Sequence, residues 1–136
     1  MSAPVQRLPF TPSQLAILIV SGWIFWFVGA LICRLGGEMG WFDGANRILL
    51  YAALIPGTLP VVLLAKRIAR LDDQHVALGI AIVTAAAVML DGIALAWFPG
   101  LYGPSVAQTA ASGAVILWGA AAAIALGCWF NRAPPQ

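Results

Sequence analysis

Asp91 makes the strongest chemical demand in this chain. It stands in the run Val88-Met-Leu-Asp91-Gly-Ile-Ala-Leu-Ala-Trp97, eight positions before Pro99. On a helix that spacing is about 12 Å. A carboxyl at such depth in an apolar segment is costly unless it is paired, protonated or hydrated, and it marks a functional or structural centre by default. The expected partner is Arg34, which ends the first apolar stretch on the same side and has a side chain long enough to reach inward. An Arg34–Asp91 pair can lock helix packing or handle a substrate or proton, and Asp91 can alternatively pair with another subunit. These alternatives stay open on sequence alone.

Other polar residues gather near the same end. Tyr102, Gln108, Thr109 and Ser112, with Asp91 and Arg34, are expected to form a small polar pocket opening outward. A second irregularity lies in Tyr51-Ala-Ala-Leu-Ile-Pro56-Gly57-Thr58-Leu-Pro60. Each proline removes an amide donor and crowds the carbonyl four residues back. The sequence therefore predicts a helix kinked or opened at Pro56, Gly57 and Pro60, with Thr58 available to the freed carbonyls. Broken helices of this kind line binding sites in transporters, although a static kink is the commoner outcome. In the last apolar stretch Gly119, Ala123 and Gly127 repeat at a spacing of four, a stripe that lets helices approach closely within a bundle or between two copies.

Several chemistries find no support. The two cysteines, Cys33 and Cys128, are expected near opposite membrane faces, too far apart for a disulfide, and no CxxC is present. His75 is the single histidine, so two axial haem ligands cannot come from one chain. Asp72 or Asp73 beside it is expected to cap the following helix rather than to hold a metal. No nucleophile–base pair, metal-ligand cluster or phosphate-binding loop is evident. The sequence thus predicts no enzyme, no metal and no cofactor.

The elements that position these residues follow from composition. Hydrophobic residues make up 62% of the 136 and charged residues 9%. Average soluble domains are nearer 45–50% and about 25%, so too few charges exist to cover a water-soluble fold. That balance, with a mean hydropathy of +0.93, excludes a soluble globular enzyme, a nucleic-acid-binding domain and a disordered tail. Four stretches reach the ~20 apolar residues that cross a bilayer, at about 14–34, 48–67, 75–98 and 107–130. They are continuous, unlike the alternating strands of a membrane barrel. The links are short and hold no domain. The expected fold is a single all-α domain over residues 1–136, a transmembrane up-down-up-down four-helix bundle whose sequential helices are neighbours. The first stretch is too long and too aromatic for a cleaved signal peptide and is expected to be retained.

Charge sets the expected orientation. Arg7, Lys66, Arg67, Arg70 and Arg132 fall on one side, whereas Arg34 and Arg47 on the other are offset by Glu38 and Asp43. Short cationic loops stay cytoplasmic, so both termini are expected inside, in an inner (plasma) membrane. The cluster Lys66, Arg67 and Arg70 is expected to anchor topology, with contact to anionic lipid as the sharper reading. Trp41, Phe42, Trp97, Phe98 and Tyr102 on the opposite side read as an interfacial aromatic belt. Glycines 36, 37, 40 and 44 are read as a flexible or tightly turned first loop.

Two segments carry a family likeness. Gly22-Trp-Ile-Phe-Trp-Phe-Val-Gly-Ala-Leu-Ile-Cys-Arg-Leu-Gly36 closes a Trp-rich span on Arg-x-Gly. Val88-Met-Leu-Asp91-Gly-Ile-Ala-Leu-Ala-Trp-Phe-Pro99-Gly-Leu-Tyr102 precedes an apolar helix with Leu117-Trp118-Gly119. Together, over about residues 15–127, they resemble an uncharacterised family of small bacterial four-helix integral membrane proteins. The chain departs from that pattern at Gly100-Leu, where Asn-Leu is expected. The resemblance implies the four-helix fold and singles out Arg34 and Asp91, and it brings no activity with it.

Two functional readings lead. One is a membrane bundle that binds or transports a small or amphipathic molecule through the polar site near Asp91. The other is an accessory or structural subunit that packs against a larger membrane complex or forms a homo-oligomer. The expected partners are the lipid bilayer and such protein neighbours, not nucleic acid.

Overall fold

The structure is a computed structural model and describes residues 7–133. The outermost residues of the expected 1–136 domain, and with them both termini, lie outside the described residues. Four long helices account for the fold, with no strand among the described residues: α1 (Pro12–Glu38), α2 (Gly44–Ile68), α3 (Val76–Trp97) and α4 (Val106–Phe130). All are long and apolar enough to cross a membrane. The expected spans are recovered with shifted ends. The two largest shifts, equal in size, extend α1 past Arg34 to Glu38 and start α2 at Gly44, so Gly36 and Gly37 are helical and only residues 39–43 form the first connection.

Local chemistry explains where the helices start. Thr11 and Gln14 form a reciprocal capping box at α1, with Pro12 at the first helical position, where its missing amide costs nothing. The Ser105 hydroxyl accepts from the Gln108 amide at 3.1 Å and caps α4. The helix α3 departs from expectation, because neither Asp72 nor Asp73 caps it. Asp72 folds back on the Gln74 amide (3.1 Å) and His75 Nδ1 (2.6 Å). The Ala77 amide donates instead to the Asn131 side-chain carbonyl at 3.0 Å, so the end of α4 supplies the cap.

Helix α2 is not opened at Pro56, Gly57 and Pro60, and it continues through all three. Both prolines lie on its exposed face, where the rings meet no neighbouring helix. Thr58 Oγ1 donates back to the carbonyls of Leu54 and Ile55 and holds the turn together from within.

Neighbour choice differs from the expected chain order. Helix α1 packs chiefly on α3, α3 also on α4, and α4 on α2, while α1 and α2 share few contacts. Short links fix which way a helix must return, but not which surface it fits. Close approach decides that here. A Cβ on Gly22 of α1 would sit 2.5 Å from the Val83 carbonyl oxygen and 2.8 Å from the Ala86 Cβ of α3. Gly127 of α4 likewise seats Ile80 of α3, with 3.0 Å from a built Cβ to the Ile80 Cβ. Two buried clusters result. Leu18, Val62, Val76 and Ile80 fill one end, and Ala30, Cys33, Phe42, Ala94, Tyr102 and Val115 fill the other. Phe42 and Tyr102 therefore belong to the core rather than to an aromatic belt, whereas Trp41, Trp97 and Phe98 are exposed.

The end holding the α2–α3 connection is tied by ions. Asp73 accepts from Lys66 Nζ at 2.5 Å and lies 3.6 Å from Arg132. The Lys66 hydrogen bond, then its charge, holds the Asp73 carboxyl below its ordinary value of 3.8. A depressed carboxyl contributes stability above its unfolded pKa and loses it as pH falls through the folded one. The unfolding temperature is therefore expected to decline below pH 3.8 with an Asp73-dependent component, and Asp73→Asn should remove that component. The effect is small, since the pair is solvent-screened. An unchanged pH profile in Asp73→Asn would contradict the assignment.

Candidate functional site

The polar centre is built where α1, α3, α4 and the α3–α4 connection meet. Helix α3 turns Asp91 inward, leaving it 7% exposed. Phe98 ends the helix, and a short 3₁₀ turn at Pro99–Leu101 swings the chain back so that Tyr102, fully buried, lies over Asp91. The Tyr102 hydroxyl donates to Asp91 Oδ1 at 2.5 Å and accepts from Trp26 Nε1 of α1 at 3.1 Å. The result is a relay, indole to phenol to carboxyl. Burial, and then donation to Asp91, pushes the Tyr102 phenol above its ordinary titration range. It therefore stays a donor at all physiological pH values.

Arg34 is not the partner of Asp91. Its guanidinium donates to the Gly100 carbonyl at 2.7 Å and lies 3.6 Å from Glu38, one turn further along the extended α1. The extra turn explains the correction, since it brings an acid to the i+4 position and draws the guanidinium outward. Arg34 still serves the centre, because Gly100 lies in the turn that carries Tyr102. Gln108 makes a second clamp. Its side-chain amide donates to the carbonyls of Tyr102 and Arg34, each at 3.1 Å. Gly37 and Gly103 leave the space for it, as a Cβ on either would meet the Gln108 side chain at 2.2 and 2.3 Å.

Ser112 faces the same cluster from α4. The Cys33 thiol adjoins it, yet its fully buried hydroxyl oxygen has no hydrogen-bond partner among the described residues. Asp91, Arg34, Tyr102 and Gln108 are thus brought to one place as a wired network rather than an open pocket, with Ser112 buried at its side and outside the wiring. Thr58 is not part of it, since its hydroxyl is taken by its own helix. Trp26 is the member that sequence reading missed. Its signal lay in the spacing of Trp26, Ala30 and Cys33, an indole followed at four and seven positions by residues small enough to let it lie inward.

Among the described residues no Lys, Arg or His forms an ion pair with Asp91, and no group of three or more His, Cys, Asp or Glu is placed to hold a metal ion. Beside the centre lies a recess of about 440 Å³. Leu95, one turn after Asp91, bounds it, with Pro99, Gly100, Gly103, Ser105 and Thr109 on either side of Tyr102 in the chain. The small-residue stripe of α4 divides in use. Gly127 and Ala123 pack inside the bundle, and Gly119 meets no neighbour within 4 Å of a built Cβ.

No protein-family model, curated protein or solved structure matches the chain. The likeness to small four-helix membrane proteins therefore rests on the quoted segments alone.

Proposed function

We propose that this small multi-pass integral membrane protein binds a small amphipathic molecule bearing a protonated amine at the Asp91–Tyr102–Trp26 centre. The observation that carries this reading is a carboxyl inside an apolar bundle, held by a neutral donor and left without a cationic partner among the described residues. An ammonium ligand supplies the missing charge, and the indole and phenol offer ring faces that attract cations. A recess at the same end of the bundle, lined by Leu95, Gly100, Gly103 and Thr109 and not by the three residues of the centre, has the volume of a small-ligand site. The cation distribution supports both termini on the cytoplasmic side of a plasma (inner) membrane.

The test is a headgroup comparison on the reconstituted protein with dodecylamine, dodecanol and dodecanoate, whose chains are equal. Dodecylamine is expected to bind at least tenfold more tightly than the other two. Asp91→Asn, which keeps an acceptor for Tyr102 and hence the fold, is expected to erase that preference. Equal binding of all three by the wild type would refute the reading.

A second reading, an accessory subunit or homo-oligomer, is favoured by a groove of about 370 Å³ between α2 and α4. Ala121, Ala122 and Ala125 line it with Trp118 and Trp129, which suits a helix from another chain. A larger assembly retained in several mild detergents would favour it over the first reading.

A further inference from the structure

We propose that the turn closing α2 is a binding site for the phosphate headgroup of an anionic phospholipid, contacted by Arg67 and Arg70. The charges at this end are unevenly used. Asp73 takes Lys66 and Arg132, and Asp72 takes His75. Arg67 and Arg70 are exposed and have no acidic partner among the described residues.

Arg70 also stands where an arginine is least expected. The Leu71 amide donates to the Lys66 carbonyl at 3.0 Å and the Arg70 amide to the Arg67 carbonyl at 3.3 Å, the paired bonds that end a helix on a left-handed residue. Arg70 holds that position at φ +50°, and no other non-glycine described residue has a positive φ. Glycine adopts this conformation freely, and a side chain there is strained. Strain kept in a folded protein points to a use for the side chain that causes it.

The turn is a firm platform. Gln14 of α1 donates to the Ala69 carbonyl at 3.1 Å. Ala69 and Leu71 are buried, and Leu71 fills the space beside Gly79, its Cδ1 2.4 Å from a Cβ built there. The two guanidinium groups therefore start from a fixed backbone.

Position and surroundings select a lipid. The turn follows the last residue of a helix long and apolar enough to span a bilayer, which puts it at headgroup level. Leu63, Leu64 and Ile68, nearly half exposed on the same helix, continue an apolar surface below Arg67 for acyl chains. Guanidinium is the side-chain group best matched to phosphate oxygens. At the opposite end Arg34 is taken by Glu38, and Arg47 is the single exposed arginine without an acidic partner among the described residues.

The test uses the full chain in nanodiscs and counts retained phosphatidylglycerol against phosphatidylcholine of identical acyl chains by native mass spectrometry. Each arginine is expected to contribute about fivefold to the phosphatidylglycerol preference. Arg70→Gly should reduce the preference by that factor while leaving the unfolding temperature equal or higher, because it relieves the left-handed strain. Arg67→Gln with Arg70→Gly should abolish it, and Arg47→Gln at the other end should leave it intact. A wild type without preference, or an Arg70→Gly protein that loses stability and keeps the preference, would overturn the proposal. Displacement of the lipid by millimolar inorganic phosphate would also overturn it, by assigning the site to free phosphate.

Discussion

Tyr102→Phe is expected to destabilise the protein by about 3 kcal/mol, because one hydroxyl serves two helices at once. It accepts from Trp26 Nε1 on α1 and donates to Asp91 on α3. Its removal strands a buried acceptor and a part-buried donor without altering the ring that fills the space. Each buried group left unpaired costs about 1–3 kcal/mol, and an environment without water offers no replacement. Asp91→Leu combined with Tyr102→Phe strands only the indole. The double variant should therefore be more stable than Tyr102→Phe alone, a coupling of about 1–3 kcal/mol in a double-mutant cycle. Reversible unfolding in mixed micelles, followed by far-ultraviolet circular dichroism, measures it. Additive losses would show that the hydroxyl and the carboxyl do not act as a unit.

Gly22→Val is expected to cost about 3 kcal/mol or more, at the upper end of overpacking effects. Most overpacked sites relax by turning a side chain. Here the first obstacle is the backbone carbonyl of Val83, 2.5 Å from a built Cβ, so α1 and α3 must separate along their shared seam. Gly29 on the same helix is the control, since a Cβ there meets nothing within 4 Å. Gly29→Ala should be neutral or stabilise by up to about 1 kcal/mol, because alanine is the better helix former. The same measurement on both variants checks the pair. Equal, small effects would contradict the close approach.

The main features of the fold were legible because they depend on composition. Four apolar stretches of spanning length cannot be hidden by local detail, and one carboxyl inside them announces itself. Errors arose wherever residues carry a different meaning in lipid than in water. Gly36 and Gly37 read as loop residues, yet in α1 they admit Trp41 and Gln108. That misreading ended the helix early, left Glu38 out of reach of Arg34, and so assigned Arg34 to Asp91. Pro56 and Pro60 read as able to open the helix, yet α2 runs through both with their rings exposed, and Thr58 binds the turn. The cap on α3 was illegible for another reason, since Asn131 arrives from more than fifty residues away in the chain. The gathering of Asp91, Tyr102, Gln108 and Ser112 was readable from their common end, whereas their wiring needed the turn at Pro99–Leu101.

The poor fit between α1 and α2 bears on how the protein is made. A chain is synthesised from its N-terminus, so these two helices enter the bilayer before α3 and α4, with little surface to share. The Gly22 face of α1 then stays covered by lipid or by the insertion machinery until α3 follows. Assembly cannot proceed hairpin by hairpin, because α3 completes the first half only as it begins the second. An arrested chain ending before α3 should therefore be a loose pair of helices, open to quality-control proteases, and release of the complete second hairpin should be the step that closes the fold.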